Sequence, residues 1–237
     1  MVRASVSATV QALIDNDVSM QDALERGYGN YSAMARILRP RVEQVLERAV
    51  RLESIITAVK RAKSSFRAVH GNIGGIVARS VINLRTDVAK FSVEKTKRTV
   101  QIVRRTMADL RGEFLQVLEG VSAITLVFDE RLFDSVSSMF RRGDILDEKR
   151  GLAAIMVHSP RGIIGVPGSA VAFYNPLSRR HINIEETMSC FTDTILVVRM
   201  EDVGNAFTSL TDMISQARQA VRARPGRVLR HPRRRRS

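Results

Sequence analysis

The sequence predicts an α+β protein: an N-terminal helical bundle of helix-turn-helix-like character, followed by two consecutive βαββαβ units. Three observations predict it. Residues 5–67 carry apolar side chains at helical spacing throughout. After a turn-rich joint at His70–Gly75 (HGNIGG) the period changes, and short apolar runs alternate with amphipathic helices. The order of those elements then recurs after about 70 residues.

In the helical part, Val6, Val10, Leu13 and Ile14 form a stripe that Asn16 and Asp17 end. Asp17 or Ser19 caps a short helix through Leu24, stopped by Gly27 and Gly29. Asn30 or Ser32 caps the next, with Ala33, Ile37 and Leu38 inward, until Pro40 breaks or kinks it. Val42, Val45, Leu46, Val50, Leu52, Ile55, Ile56 and Val59 continue the pattern. Short helices with tight glycine turns fit a helix-turn-helix-like domain over residues 1–70. Residues 71–85 are expected to be a linker.

The first mixed unit is expected over 86–150. Asp87–Glu94 alternates as a strand, and Thr96–Leu110 is an amphipathic helix ended by Gly112. Phe114–Leu118 and Ala123–Asp129 are strands joined at Gly120; Arg131–Phe140 is a helix and Ile145–Lys149 a short strand. The second unit spans 151–217. Leu152–His158 is its first strand and Gly168–Arg180 its first helix, bent by Pro176; Ile182–Ser189 and Thr194–Met200 are strands, and Glu201–Ile214 is a helix. In both units an apolar strand ends in acids that open an amphipathic helix: SAITLVFDER at 122–131 and DTILVVRMED at 193–202. Two such units make two small ferredoxin-like sheets, each with its helices on one face.

Composition excludes some classes. At 237 residues with 44% hydrophobic and 26% charged content, the chain can bury cores in one or two domains. It has no run of 18 apolar residues and no signal-peptide h-region, so a cytoplasmic location and no membrane partner are expected. One cysteine, Cys190, excludes an internal disulfide framework and is expected to be a small buried hydrophobe. The net charge of +14 is concentrated in residues 218–237, which hold nine arginines and no acid; the rest is about +5. That segment is expected to be a disordered Arg-rich tail, either a non-specific nucleic-acid contact or a solubilising end. Of the 38 basic residues only six are lysine, which reflects either a GC-rich genome or selection for phosphate contacts.

The residues Gly165-Val-Pro-Gly168, Ala170, Ala172, Ile182-Asn-Ile184-Glu-Glu, Ser189, Thr192-Asp-Thr-Ile-Leu-Val-Val and Glu201-Asp-Val, with Ala206-Phe207 after them, occur in that order. As a set over 152–214 they resemble an ACT domain, the small-molecule sensing module of aspartokinases and other amino-acid enzymes. The Pro-Gly-x-Ala and Ile-Asn-Ile elements are most similar to the aspartokinase type. The first unit resembles a second, degenerate copy, in which Lys95-Thr-Lys-Arg-Thr99 stands where the glycine corner belongs. The segments Leu24–Gly27, Asn30–Ile37 and Leu52–Arg61 resemble the helical N-terminal domain of archaeal ACT-containing regulators.

The glycine corner carries the chemistry. Gly165 and Gly168 permit positive φ or close backbone approach, and Pro167 suits a helix start. Free N–H groups after Gly168 can take a carboxylate, assisted by the helix dipole. The resemblance implies an amino-acid ligand there, with Ile164, Gly165, Val166, Pro167, Gly168 and Ser169 in contact. Asn183 by side chain and Ile184 by backbone border the same cleft, and Asp193 meets an amino group. The alternative is a tight strand-to-helix turn with no ligand.

His70, His158, His181 and His231 lack partners at metal-ligand spacing, and His158 either ends a strand or lines the cleft. Glu185 and Glu186 are adjacent and point to opposite strand faces, a poor acid/base pair. No phosphate-loop, nucleophile-elbow or zincin motif occurs, so no enzyme activity, metal or cofactor is expected. Arg51, Lys60, Arg61 and Lys63 on the last N-terminal helix are candidate DNA phosphate contacts, or else a solvated basic face. The expected function is amino-acid sensing by a regulatory protein, coupled to DNA binding by the helical domain, in a homodimer or higher homo-oligomer. The alternative is a ligand-free ACT-type interaction or scaffold protein that regulates an amino-acid-metabolism enzyme.

Overall fold

A computed structural model describes residues 5–65 and 73–223. The chain divides into two compact units, residues 1–69 and 70–237.

In the first unit the helices are α1 (Val6–Asp15), α2 (Val18–Arg26), α3 (Tyr31–Leu46) and α4 (Leu52–Ser65). Of the alternative caps, Asp17 accepts from the amide of Met20, and Asn30 accepts from those of Ser32 and Ala33. Gly27 ends α2 in the left-handed conformation, as a C-cap glycine does. Helix α3 runs through Pro40 instead of ending there. Its inward stripe is Met34, Ala35, Leu38 and Val42, so Ile37, expected inside, is exposed. The core joins these residues to Val10, Ile14, Leu24, Ile55 and Val59.

The second unit holds α5 (Ile73–Val77), β1 (Val81–Glu94), α6 (Lys97–Asp109), β2 (Leu115–Glu119), β3 (Ala123–Asp129), α7 (Phe133–Ser137) and β4 (Ile145–His158), then α8 (Ser169–Ser178), β5 (Glu186–Cys190), β6 (Asp193–Arg199) and α9 (Val203–Arg222). Two separate sheets were expected; the strands form one six-stranded antiparallel sheet of order β2-β3-β1-β4-β6-β5. The reason lies in β1 and β4. Each is 14 residues long and pairs with the other over its whole length, from Val81↔His158 to Val93↔Ile145.

Each long strand therefore serves both halves. The start of β4 is the fourth strand of the first half, and the start of β1 (81–85) is the fourth strand of the second. Each half has the order 2-3-1-4 of a βαββαβ unit, but the second half takes its last strand from upstream of the first. The expected linker 71–85 is thus corrected: it contributes α5 and that strand. The boundaries at 86 and 151 fall on paired bulges. An extra residue enters β1 between Arg85 and Val88, and another enters β4 between Leu152 and Lys149. Asp87 (φ 55°) and Gly151 (φ 67°) adopt the left-handed backbone there.

Strand alternation puts the helices of both halves on one sheet face. Helices α6 and α7 cover Phe91, Val93, Leu126 and Phe128; α5, α8 and α9 cover Ile155, Val157, Leu196 and Val198. The opposite face carries a continuous apolar seam of Val88, Val127, Leu152, Ala154, Ile195 and Val197. The tail expectation is also corrected in part. Helix α9 runs to Arg222, and Arg218 Nε donates to the Ala78 carbonyl at 2.8 Å, tying the helix to the segment that leads into β1. The rest of the tail, 224–237, and His70 lie outside the described residues. No helix among the described residues is long and apolar enough to cross a membrane.

Candidate functional site

The two βα corners differ in how they finish their helices. At the first, Thr96 caps α6 and forms a capping box with Thr99, whose hydroxyl donates to the Glu94 carbonyl at 2.6 Å. The corner satisfies itself. At the second, the N-cap of α8 is Gly168, at φ 78°, and no side chain caps the first turn. The amides of Ala170 and Val171, the positions that a capping side chain serves, have none.

A cavity of about 420 Å³ opens beside this uncapped end. Ile163, Ile164, Gly165, Val166 and Pro167 of the corner line one side, Ser169 and Ala170 of α8 another, and Ser189, Phe191, Thr192 and Thr194 of the β5–β6 hairpin the third. Thr192 and Thr194 are 7% and 6% exposed, and neither hydroxyl has a hydrogen-bond partner among the described residues. Phe191 sits at the hairpin tip, 65% exposed, at φ 55°. That backbone region is costly for an aromatic residue. The Arg161 guanidinium stands 5.4 Å from the Phe191 ring centroid.

The cavity brings together Ile164, Gly165, Val166, Pro167 and Ser169 of the expected site, with Gly168 in the turn behind them. It does not include Asn183, Ile184 or Asp193. Asp193 falls on the sheet face opposite Thr192 and Thr194 and pairs with His158, its cross-strand partner. Ile184 packs into the core under α8 and α9. Asn183 lies near the Glu185 carboxylate and helps to lower its pKa. Sequence reasoning missed Phe191 and the hairpin tip, whose signal was the short Cys190–Thr192 interruption between two strands. Cys190, expected to be buried, is exposed at the same tip, because β5 ends there.

Glu185 organises a second cluster at the junction of the two halves. Lys90 and Lys149 oppose each other directly across β1 and β4, an arrangement that repels unless countered. Asp147 takes Lys90 at 2.8 Å. The Glu185 side chain, 3% exposed, takes Lys149 at 2.5 Å and Arg199 at 3.0 Å. Lys149 above all, then Arg199 and Asn183, pull its carboxyl down to about 2 against the cost of burial.

In the helical unit Arg51, Lys60 and Arg61 are exposed, and the Lys63 side chain lies outside the described residues. Nine residues of helix place Lys60 about half a turn round from Arg51, so these two do not share one stripe. Among the described residues no group of three or more His, Cys, Asp or Glu is placed to hold a metal ion.

Solved structures similar to this chain include an aspartate kinase from Clostridium acetobutylicum, at 17% identity and a TM-score of 0.47 over 57% of this chain and 34% of that one. The ligand-free regulatory subunit of aspartate kinase from Thermus thermophilus matches at 12% identity and 0.47, over 56% and 95%. E. coli aspartokinase III in complex with lysine and aspartate matches at 13% and 0.41, over 58% and 32%. The chain spans about a third of the length of the Clostridium enzyme. No family model matches the chain, and no curated protein does.

Proposed function

We propose that the chain is a non-catalytic regulatory protein that senses an amino acid at the cavity beside α8. One observation carries the reading: of two topologically equivalent corners, the first caps its own helix, and the second leaves helix amides and the hydroxyls of Thr192 and Thr194 without partners among the described residues, beside a cavity. A ligand carboxylate at the amides of Ala170 and Val171 supplies the missing cap, and the helix dipole favours its charge. Binding is therefore asymmetric, one site per pair of halves. Thermal denaturation with each of the twenty amino acids is the test. At a concentration a hundredfold above Kd, one of them is expected to raise stability by about 2.7 kcal/mol; no shift with any of them at about 10 mM would sink the sensor reading.

The output belongs to the same proposal. A ligand changes the DNA affinity of the helical unit, or self-association, only through unequal affinity for two arrangements. Gel shift over a salt series separates site recognition from the basic end, whose affinity falls steeply with salt. The deletion to use is 224–237, because Arg218 and Arg222 belong to α9. Loss of all binding in that deletion assigns DNA affinity to the tail and not to the helical unit. The ligand-free scaffold reading is the one left if no amino acid shifts the melting curve.

A further inference from the structure

We infer that the cavity is built for a small amino acid with an uncharged, apolar side chain and rejects those whose side chains carry a charge. The inference rests on the sensor reading above and narrows it. Its ground is the chemistry of the walls. None of the residues lining the cavity is Asp, Glu, Lys, Arg or His. The acid nearest in sequence, Asp193, is on the other sheet face and engaged with His158. The polar groups present are neutral hydroxyls and the first-turn amides of α8, enough for the α-carboxylate and α-ammonium common to every amino acid. The remaining wall is apolar: Ile163, Ile164, Val166, Pro167 and the Phe191 ring.

A lysine ammonium or an aspartate β-carboxylate placed there loses water and gains no counter-ion, whereas an aliphatic side chain loses water favourably. Arg161 is not among the residues that line the cavity, and its guanidinium is engaged with the Phe191 ring, 5.4 Å from the centroid. Rejection by an unpaired charge separates ligands more strongly than one methylene does.

The probes are L-norleucine and L-lysine, a pair differing by the terminal ammonium, with L-leucine and L-aspartate beside them. Calorimetric titration of the full chain is expected to give norleucine and leucine affinities on the order of 100-fold above those of lysine and aspartate. Thr194→Val keeps the shape and removes a hydroxyl, and is expected to weaken norleucine about tenfold with little change in melting temperature. Phe191→Gly removes the apolar rim and relieves the left-handed backbone; it is expected to lose most norleucine affinity while the free protein melts no lower. Lysine or aspartate binding within tenfold of norleucine overturns the class and leaves the sensor reading standing. Norleucine affinity unchanged in both variants overturns the assignment to this cavity. Absence of binding by any amino acid overturns the sensor reading and this inference together.

Discussion

Phe91→Ala is expected to destabilise the second unit by about 3–5 kcal/mol, the largest effect of any single substitution considered. Phe91 is fully buried on β1, meets the Phe133 ring edge-on at 5.8 Å and lies 5.3 Å from Phe140. Aromatic packing of this kind adds to area burial. Truncation opens a void between the sheet and α7 that the close-packed surroundings fill only in part. Because β1 also supplies the fourth strand of the second half, the loss is expected to reach the cavity side as well. In chemical denaturation, the unit containing both halves is expected to unfold in one transition with a lowered midpoint and unchanged slope. Two separated transitions, with the β4–β6 half retaining its wild-type midpoint, would contradict the shared-strand account.

Glu185→Gln is expected to cost about 2–3 kcal/mol at neutral pH. The change keeps shape and removes the charge that Lys149 and Arg199 share. A carboxyl lowered from 4.5 to about 2 corresponds to roughly 3 kcal/mol of preference for the ionised form. Lys149 and Arg199 are partly exposed and regain water, which moderates the loss. The sign follows from the direction of the shift. The folded carboxyl is the stronger acid, so its contribution is complete above about pH 4.5 and is lost as pH falls through about 2. Denaturation midpoints of wild type and variant are expected to differ most at pH 6–7 and to converge as pH falls through that window. A gap that stays constant from pH 6 to pH 2 would show that Glu185 acts through shape alone.

Much of the local structure was legible in the residues. Asp17, Asn30 and Thr96 are capping residues placed before apolar periodicity, and each caps a helix. The Gly165–Gly168 corner announced a helix start with no side-chain cap, and the structure adds the cavity beside it. Other features depended on partners distant in sequence. Val81–Arg85 alternates too weakly to declare a strand, and becomes one because β4 offers it an edge. Asp193 had the charge for an amino group, but strand register turned it to the far face and onto His158. Phe191 looked like an ordinary apolar residue until the hairpin placed it at the rim.

The sequence by itself determined the helical and strand periods, the caps, the duplicated βαββα order and the inequality of the two corners. All of these are encoded within a few neighbouring residues, where steric preference and local hydrogen bonding act. Only the tertiary structure decided that the two halves share one sheet, that the second half takes its fourth strand from upstream of the first, and which side chains meet at the cavity and around Glu185. Those outcomes depend on pairing between residues as much as 95 positions apart, such as Lys90 and Glu185. No local preference encodes such pairing; it is settled by which edges and apolar faces remain to be covered once the local elements have formed.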